Sequence, residues 1–565
     1  MSATLSDLSR FDVRLDALPN RGNVLLATRD LLPGHLVISN KPYARALRPS
    51  LWQDNCFQCF STLPERPIKS NGICYCSSRC QQIDYLMNHH VEGPLLPGLC
   101  ARHADDVLSD MILVSRTLRK MRSDDGKEEN YSAVISSQEK SSGPVPIVST
   151  SADVNALVHH AVGNDVQLME VVQHILDSGL LGEPTTGEEN EKSEEDEDLK
   201  ELIATTLLRF GCNNFAVTSS QLAILGAAVC PAGAILNHAC QPNCVVTWND
   251  KTGAQEIRCV RKVTKDEELT HSYVDVGTLQ RRKKLKLEYG FECECSRCSS
   301  PTMVELAPCF RMELKMAARE HTSLLTTDVD SDGTIADMVI KLNEKSDEPK
   351  GKWNLDDCLH GDLLGVAVPA AAAGTSLELA RLKDVEAASE LMRETLTTLS
   401  DTDKYSMLKK AETLYSKWLH PLHVDRLHST NELLKVALAL QDYKKAVSHV
   451  RRVVVVYDHV YSTSYYHPMV GIQLYTLGNL YTEIQKFKEA ASTLGRSLET
   501  LRATHGETSD LVLTLNGLWH QTVTVLNHLQ KGGALHGATP NQGTGRSTKA
   551  MEKKKKKKKG KKGKR

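Results

Sequence analysis

The 565-residue chain has almost no net charge, with 69 Lys and Arg set against 70 Asp and Glu. A neutral total creates no global field to draw the molecule to nucleic acid, so electrostatic targeting has to come from local patches. Long hydrophobic runs are also missing, and nothing approaches the roughly 18 apolar residues needed to cross a bilayer. The amino terminus shows no basic region followed by an apolar stretch and a small-residue cleavage site. These absences create the expectation of a soluble protein of the nucleus and cytoplasm with no membrane partner. Cysteine is too dilute for a disulfide-stapled scaffold, at 16 in the whole chain, yet it is clustered, which favours zinc in a reducing compartment. A Rossmann glycine fingerprint in a strand-turn-helix context is absent as well.

At this length several domains are expected, because single cores seldom grow past a few hundred residues. Between residues 20 and 50 the short apolar runs Val24 to Ala27 and Leu36 to Ser39, separated by Asp30 and Pro33-Gly34, read as strands joined by a turn. Cysteines dominate 56 to 80. Apolar residues recur at helical spacing from Asp106 to Leu118, and 168 to 180 and 200 to 210 also read as helices. Residues 121 to 147 and the acidic run Gly187 to Asp198 are expected as solvated insertions, since neither buries enough apolar surface to offset its ordering entropy. The stretch 235 to 273 alternates short β-rich runs with Gly and Asn turns, too irregularly for a parallel sheet with crossover helices. Beyond residue 300 long amphipathic helices are expected at 381 to 398, 402 to 416, 426 to 439, 441 to 457, 469 to 484, 487 to 504 and 507 to 528. Their short connections indicate a superhelical repeat array. The tail from residue 530, ending in Lys553 to Lys559, Lys561, Lys562, Lys564 and Arg565, is expected to be disordered. Nuclear import, attraction to an acidic surface and solubility all remain open roles for it.

Cys56-x-x-Cys59 and Cys76-x-x-x-Cys80 supply two short-spaced thiolate pairs, enough to surround one tetrahedral zinc, with buried or incidental thiols as the plain alternative. Cys293-x-Cys295-x-x-Cys298 offers three thiolates, and a structural zinc there wants a fourth ligand from elsewhere in the fold.

Near the middle of the chain Asn237-His238-Ala239-Cys240-Gln241-Pro242-Asn243-Cys244 precedes Glu268-Leu269-Thr270-His271-Ser272-Tyr273 and Tyr289-x-Phe291. Arg21-Gly22-Asn23-Val24-Leu25-Leu26-Ala27 and Cys212-Asn213-Asn214-Phe215 lie before them, and Tyr466-His467-Pro468-Met469-Val470-Gly471 and Thr504-His505-Gly506 after. In this order the set resembles the SET and MYND domain (SMYD) family of protein-lysine methyltransferases, across roughly residues 20 to 510. Tyr75-Cys76-Ser77-Ser78-Arg79-Cys80-Gln81 resembles the second half of a MYND finger. The fold implied is α+β and multidomain: a β-rich SET fold with an inserted MYND-like zinc finger, a post-SET zinc site and a C-terminal TPR-like α-helical domain. Its expected parts are 1–50 (first part of the SET domain), 51–100 (degenerate finger), 101–200 (helical insertion with polar and acidic loops), 201–292 (core SET domain), 293–300 (post-SET segment), 301–530 (helical domain) and 531–565 (tail).

By this resemblance Cys56, Cys59, Cys76 and Cys80 hold the first finger zinc, and Cys240 completes the site of Cys293, Cys295 and Cys298, with Cys244 as a competitor. The finger's middle Cys-x-x-Cys pair is absent, so a second finger zinc has only Cys74, His89, His90 and Cys100 as substitutes; His89 and His90 read equally as surface residues. Two zinc ions are expected and a third is left open. The resemblance also implies S-adenosylmethionine, held by Arg21, Asn23, Asn213, Asn237, His238, Tyr273 and Phe291, with Tyr273 catalytic and Tyr289 and Phe291 lining a substrate channel. Asn23 stands where a second glycine is common, and Ala239 replaces the usual serine.

The implied chemistry moves a methyl group from a sulfonium to a lysine amine, which must be neutral to present its lone pair. A desolvated channel beside a cation lowers the lysine pKa, so burial does the work of a general base. Substrates are lysines of proteins or peptides, histone tails among them. The alternative is a catalytically silent scaffold that recruits partners through its finger and helical domain. Direct nucleic-acid binding is disfavoured, because the basic tail has no interleaved aromatics. Asp328-x-Asp330-x-Asp332-Gly333 starts like a calcium loop but has Val339 at its twelfth position, so it reads as a polar turn. His271 reads as a strand-surface residue, and Arg281-Arg282-Lys283-Lys284 as the solvated face of a helix.

Overall fold

The structure is a computed structural model, and it describes residues 8–19, 21–125, 145–159, 166–182, 192–274, 278–295, 298, 375–419, 424–461 and 466–530. The calcium-loop-like segment and the Lys-rich tail lie outside the described residues.

The first apolar runs form strands, as their spacing indicates. β1 (Val13–Leu18) and β2 (Gly22–Ala27) pair antiparallel, and a turn with Gly34 at φ 89° leads into β3 (Leu36–Lys41) and β4 (Ala44–Leu47). β5 (Ile68–Ser70) and β6 (Ile73–Tyr75) make a small hairpin in the cysteine-rich stretch. β3 is nearly continuously buried because it lies inside a four-stranded sheet. Its neighbours are β7 (Ile147–Val148), parallel to it, and β12 (Gln255–Cys259), with β11 (Cys244–Trp248) outside β12. A three-stranded antiparallel sheet runs β4, β9 (Ile224–Val229), β8 (Asn214–Thr218). β10 (Asn237–His238) and β13 (Thr270–His271) form a two-residue parallel pair.

Two apolar cores support this part. One joins Ala46 and Leu47 of β4 to the helices Asp105–Asp125, Val166–Asp177 and Lys192–Asn213 through Leu108, Ile112, Ile175 and Ile203. The other packs Leu25, Ile38, Leu236, Ile257 and Leu269 between β2, β3, β12 and the loop before β10. The end of the acidic run is the start of one helix, Lys192–Asn213. Asp196, Glu197 and Asp198 stay exposed on its first turns, where negative side chains are favoured by the helix dipole.

The carboxy-terminal helices match their periodicity. Thr375–Glu394, Asp401–Trp418, Val424–Ala439, Tyr443–Tyr461, Pro468–Glu483, Phe487–His505 and Asp510–Gln530 each pack on the next, as in a helical repeat. One turn recurs between them: Gln441 and Gln485 both have positive φ, and the following amides of Asp442 and Lys486 close back on Ala437 and Tyr481 at 2.9 and 2.8 Å. The helix Phe487–His505 then docks on the sheet. The Thr247 hydroxyl of β11 donates to the Thr504 carbonyl at 3.2 Å, and the Tyr466 amide donates to the Val260 carbonyl at 2.9 Å.

Candidate metal and active site

In the finger, Cys76 follows β6 and Ser77 caps the helix Ser78–Asp84, accepting from the Cys80 amide and so setting Cys80 in the first turn. Cys56, Cys59, Cys76 and Cys80 thereby converge, with all four sulfurs within 4.8 Å of one another and Cys59–Cys76 and Cys76–Cys80 at 3.6 and 3.5 Å. Thiolates at the usual 2.3 Å from a tetrahedral zinc lie about 3.8 Å apart, so the four residues fit the ion. Hydrogen bonding from Cys56 pulls the Cys59 thiol pKa down.

The second cluster forms across the fold. Cys240, in the loop after β10, sits 3.7 Å from Cys293 and 3.4 Å from Cys298, and Cys295 completes a set whose sulfurs lie within 4.8 Å of one another. Cys244 is not in it; it lies opposite Cys259 on β11 and β12. Arg281 corrects the reading of a solvated basic face. It is 1 % exposed, with Nε donating to the Cys240 sulfur at 3.0 Å and Nη2 at 3.8 Å from the Cys298 sulfur. Arg281 and Leu285, one helical turn apart, form the buried stripe of the helix Thr278–Tyr289, while Lys283 and Lys284 face outward.

The four substitutes for a second finger zinc do not converge among the described residues. Cys74 is buried beside Gln53, and His89 is buried against Tyr75, with Nε2 3.1 Å from the Ser70 hydroxyl. His90 turns to the Tyr85 carbonyl, and Cys100 is exposed.

Beside the second cluster is an aromatic site created by the β10–β13 pairing, which sets Asn237 against Thr270 and His238 against His271. Asn243 secures that pairing, donating to the Glu268 carbonyl at 2.7 Å and accepting from the Thr270 amide at 2.8 Å. Two residues on, the Tyr273 amide donates to His238 Nδ1 at 3.0 Å and its hydroxyl to the Leu236 carbonyl at 2.8 Å. The Tyr273 ring lies 4.7 Å from Tyr289, 5.3 Å from His238 and 6.5 Å from Phe291, centroid to centroid. Burial pushes the Tyr273 hydroxyl pKa up and that of Tyr289 to about 12, so both stay protonated. Contrary to the strand-surface expectation, His271 is buried between Phe215 and Tyr273, and that burial lowers its pKa to about 4, leaving it neutral.

Arg21, Asn23 and Asn237 meet around Glu268, a residue to which the motif pattern assigns no role. Asn237 Nδ2 donates to its carboxylate at 3.0 Å and to the Asn23 carbonyl at 3.1 Å, and Arg21 pairs with the same carboxylate at 3.2 Å. The Asn213 side chain turns instead to the carbonyls of Val158 and Arg209 at 2.8 and 2.7 Å. Its neighbour Cys212 reaches the Glu288 carbonyl, next to Tyr289. Sequence reasoning misses Asn243, Glu268 and Arg281 because their roles depend on partners distant along the chain; only the motif positions of Asn243 and Glu268 hint at them.

Residues 22–274 match the family model of the SET domain. The chain carries a SET domain. It is 27 % identical over 517 residues to Histone-lysine N-methyltransferase ASHR1 of Arabidopsis thaliana, covering 89 % of this chain and 94 % of the relative. N-lysine methyltransferase SMYD2-A of Danio rerio is 24 % identical, over 86 % of this chain and 93 % of its own length. Histone-lysine N-methyltransferase SMYD3 of Homo sapiens is 26 % identical over 50 % of this chain and 60 % of its own. A solved kinesin light chain structure with TPR-like repeats from Podosopora anserina aligns at 15 % identity and a TM-score of 0.20, covering 40 % of this chain and 94 % of that chain, too slight a likeness to carry an argument. The SET domain is thus that of a chain related to SMYD-type proteins at low to moderate identity, and its two four-cysteine clusters are consistent with MYND and post-SET zinc fingers. Among the described residues no helix is long and apolar enough to cross a membrane.

Proposed function

We propose that the chain is an S-adenosylmethionine-dependent protein-lysine N-methyltransferase, with Tyr273 as the catalytic residue. The observation that carries this reading is the setting of the Tyr273 hydroxyl, anchored on the Leu236 carbonyl and walled by Tyr289 and Phe291, beside the Asn237–Glu268–Arg21 network. The printed names of the relatives, lysine and histone-lysine methyltransferases, support it.

The residues suit the donor chemically: aromatic faces and the oxygens of Tyr273 and Leu236 are attractive to a sulfonium cation. Arg21, Asn23, Asn237, His238, Tyr273 and Phe291 would hold it. S-adenosylmethionine, when bound, supplies an electrophilic methyl group. Tyr289 and Phe291 exclude water from the incoming lysine and so lower its pKa toward the neutral amine. Neutral His271 adds no competing positive charge behind the pocket. The Tyr273 oxygen, held in place by its bond to Leu236, aligns the amine, and misplacement there costs about 100-fold in rate. Substrates are lysines on extended protein segments, histone tails included, and the helical repeat offers a surface for partners.

Calorimetry of S-adenosylmethionine on zinc-loaded protein tests the donor pocket, with Asn237→Ala as the site control. Saturable binding near one per chain, lost in the variant, supports the reading, and Tyr273→Phe should then retain binding and lose lysine methylation. No binding by folded, zinc-replete protein would leave the chain as a recruiting scaffold.

A further inference from the structure

We infer that His238 is a positioning residue that couples the Cys240, Cys293, Cys295 and Cys298 metal centre to Tyr273. The coupling rests on the fit of that cluster to zinc; only its consequence for catalysis rests on the function proposed above.

The two nitrogens of one buried ring carry the coupling. A backbone amide can only donate, so Nδ1, 3.0 Å from the Tyr273 amide, is the acceptor. In a neutral imidazole the proton is then on Nε2. Nε2 lies 3.2 Å from the Cys240 sulfur, so it donates to a thiolate that ligates the metal. An unbroken path follows from the cluster through Cys240 and the His238 ring to the Tyr273 amide, and from the Tyr273 hydroxyl to Leu236.

The same sulfur anchors the opposite wall. Arg281 Nε donates to Cys240 at 3.0 Å, and the helix that carries Arg281 ends at Tyr289, 4.7 Å from Tyr273. Four thiolates around a divalent ion carry surplus negative charge, which N–H donors and a guanidinium offset. Loss of the metal releases Cys240 from its fixed place among the four sulfurs, and both anchors of the aromatic pocket slacken together. Metal occupancy is therefore read at Tyr273 without any contact between the two.

The full chain loaded with Co(II) tests this by the thiolate-to-cobalt absorption band and by metal release to a chromophoric chelator. His238→Phe, which keeps a ring but loses both nitrogens, should shift the band and speed release from one of the two sites about 10- to 100-fold. His238→Gln, which retains an N–H donor, should recover part of that loss and serves if the phenylalanine variant fails to fold. In protein labelled with fluorotyrosine, the Tyr273 resonance, assigned with Tyr273→Phe, should move on metal removal in the native chain and move less in His238→Phe, where only the route through Arg281 to Tyr289 remains. Unchanged release in both variants, or a Tyr273 resonance that responds to metal equally with and without His238, overturns the inference. Absence of donor binding or methyl transfer would touch none of these readouts, so failure of the enzymatic reading is told apart from failure of the coupling.

Discussion

The Arg116 guanidinium grips the Glu92 carboxylate fork to fork, Nε donating at 3.0 Å and Nη2 at 2.8 Å, with both side chains buried. Arg116 also donates to the Arg45 carbonyl at 2.7 Å, and Arg119 shares Glu92, so the last part of the finger segment is fastened to the long helix Asp105–Asp125 and to β4. Arg116→Met leaves buried Glu92 and Asp84 short of a counter-charge and should cost about 3–5 kcal/mol. Urea unfolding of the zinc-loaded protein measures it; a loss below about 1 kcal/mol would show the pair to be dispensable.

Metal content should be two zinc ions per chain by elemental analysis. Cys298→Ser should lower it to one, while Cys74→Ser and Cys100→Ser should leave it at two, since neither belongs to a converging set. Three ions in the native chain would reinstate the second finger site.

Acid should loosen the contact between helical array and sheet. Burial lowers the His505 pKa to about 4, and His505 follows Thr504, which accepts from Thr247 of β11. Unfolded histidine titrates near 6.5, so between pH 6.5 and 4 the unfolded chain binds the extra proton. Stability from this group is therefore intact above about pH 6.5, falls as pH drops toward 4 and levels off below, by about 3 kcal/mol in all. His271 and His449, also lowered to about 4 by burial, act in the same direction. Melting temperature followed across this window should drop less steeply in His505→Gln; parallel slopes would count against the assignment.

Two glycines should respond oppositely to alanine. A Cβ on Gly226 would sit 2.0 Å from the Ala46 carbonyl oxygen on the neighbouring strand, so Gly226→Ala should force β4 and β9 apart and cost more than about 3 kcal/mol. A Cβ on Gly211, exposed in the helix Lys192–Asn213, meets nothing within 4 Å, and Gly211→Ala should gain about 0.5–1 kcal/mol. Thermal melts of the pair check both signs.

Much of the architecture is legible in the residue pattern. The helices after residue 375 are long, and the starts of Phe487–His505 and of Asp105–Asp125 fall at or beside the expected ones, although the latter helix runs seven residues past Leu118 into the stretch expected as a solvated insertion. The two four-cysteine clusters have the members expected of them, Cys240 included. The residues expected to hold the donor gather only in part, because Asn213 turns to Val158 while Arg21, Asn23 and Asn237 close on Glu268.

Sequence alone determined what is encoded locally: apolar periodicity that makes a helix, cysteine pairs close enough to chelate, glycine at a turn. Tertiary structure decided what depends on a partner far along the chain. Arg281 has the same neighbours in sequence whether its helix face meets water or thiolates, and only the packing against Cys240 buries it. His271 reads as a surface strand residue until β13 pairs with β10 and places it between Phe215 and Tyr273. Burial and charge pairing are properties of what surrounds a side chain, and in this molecule those surroundings come from segments tens to hundreds of residues away.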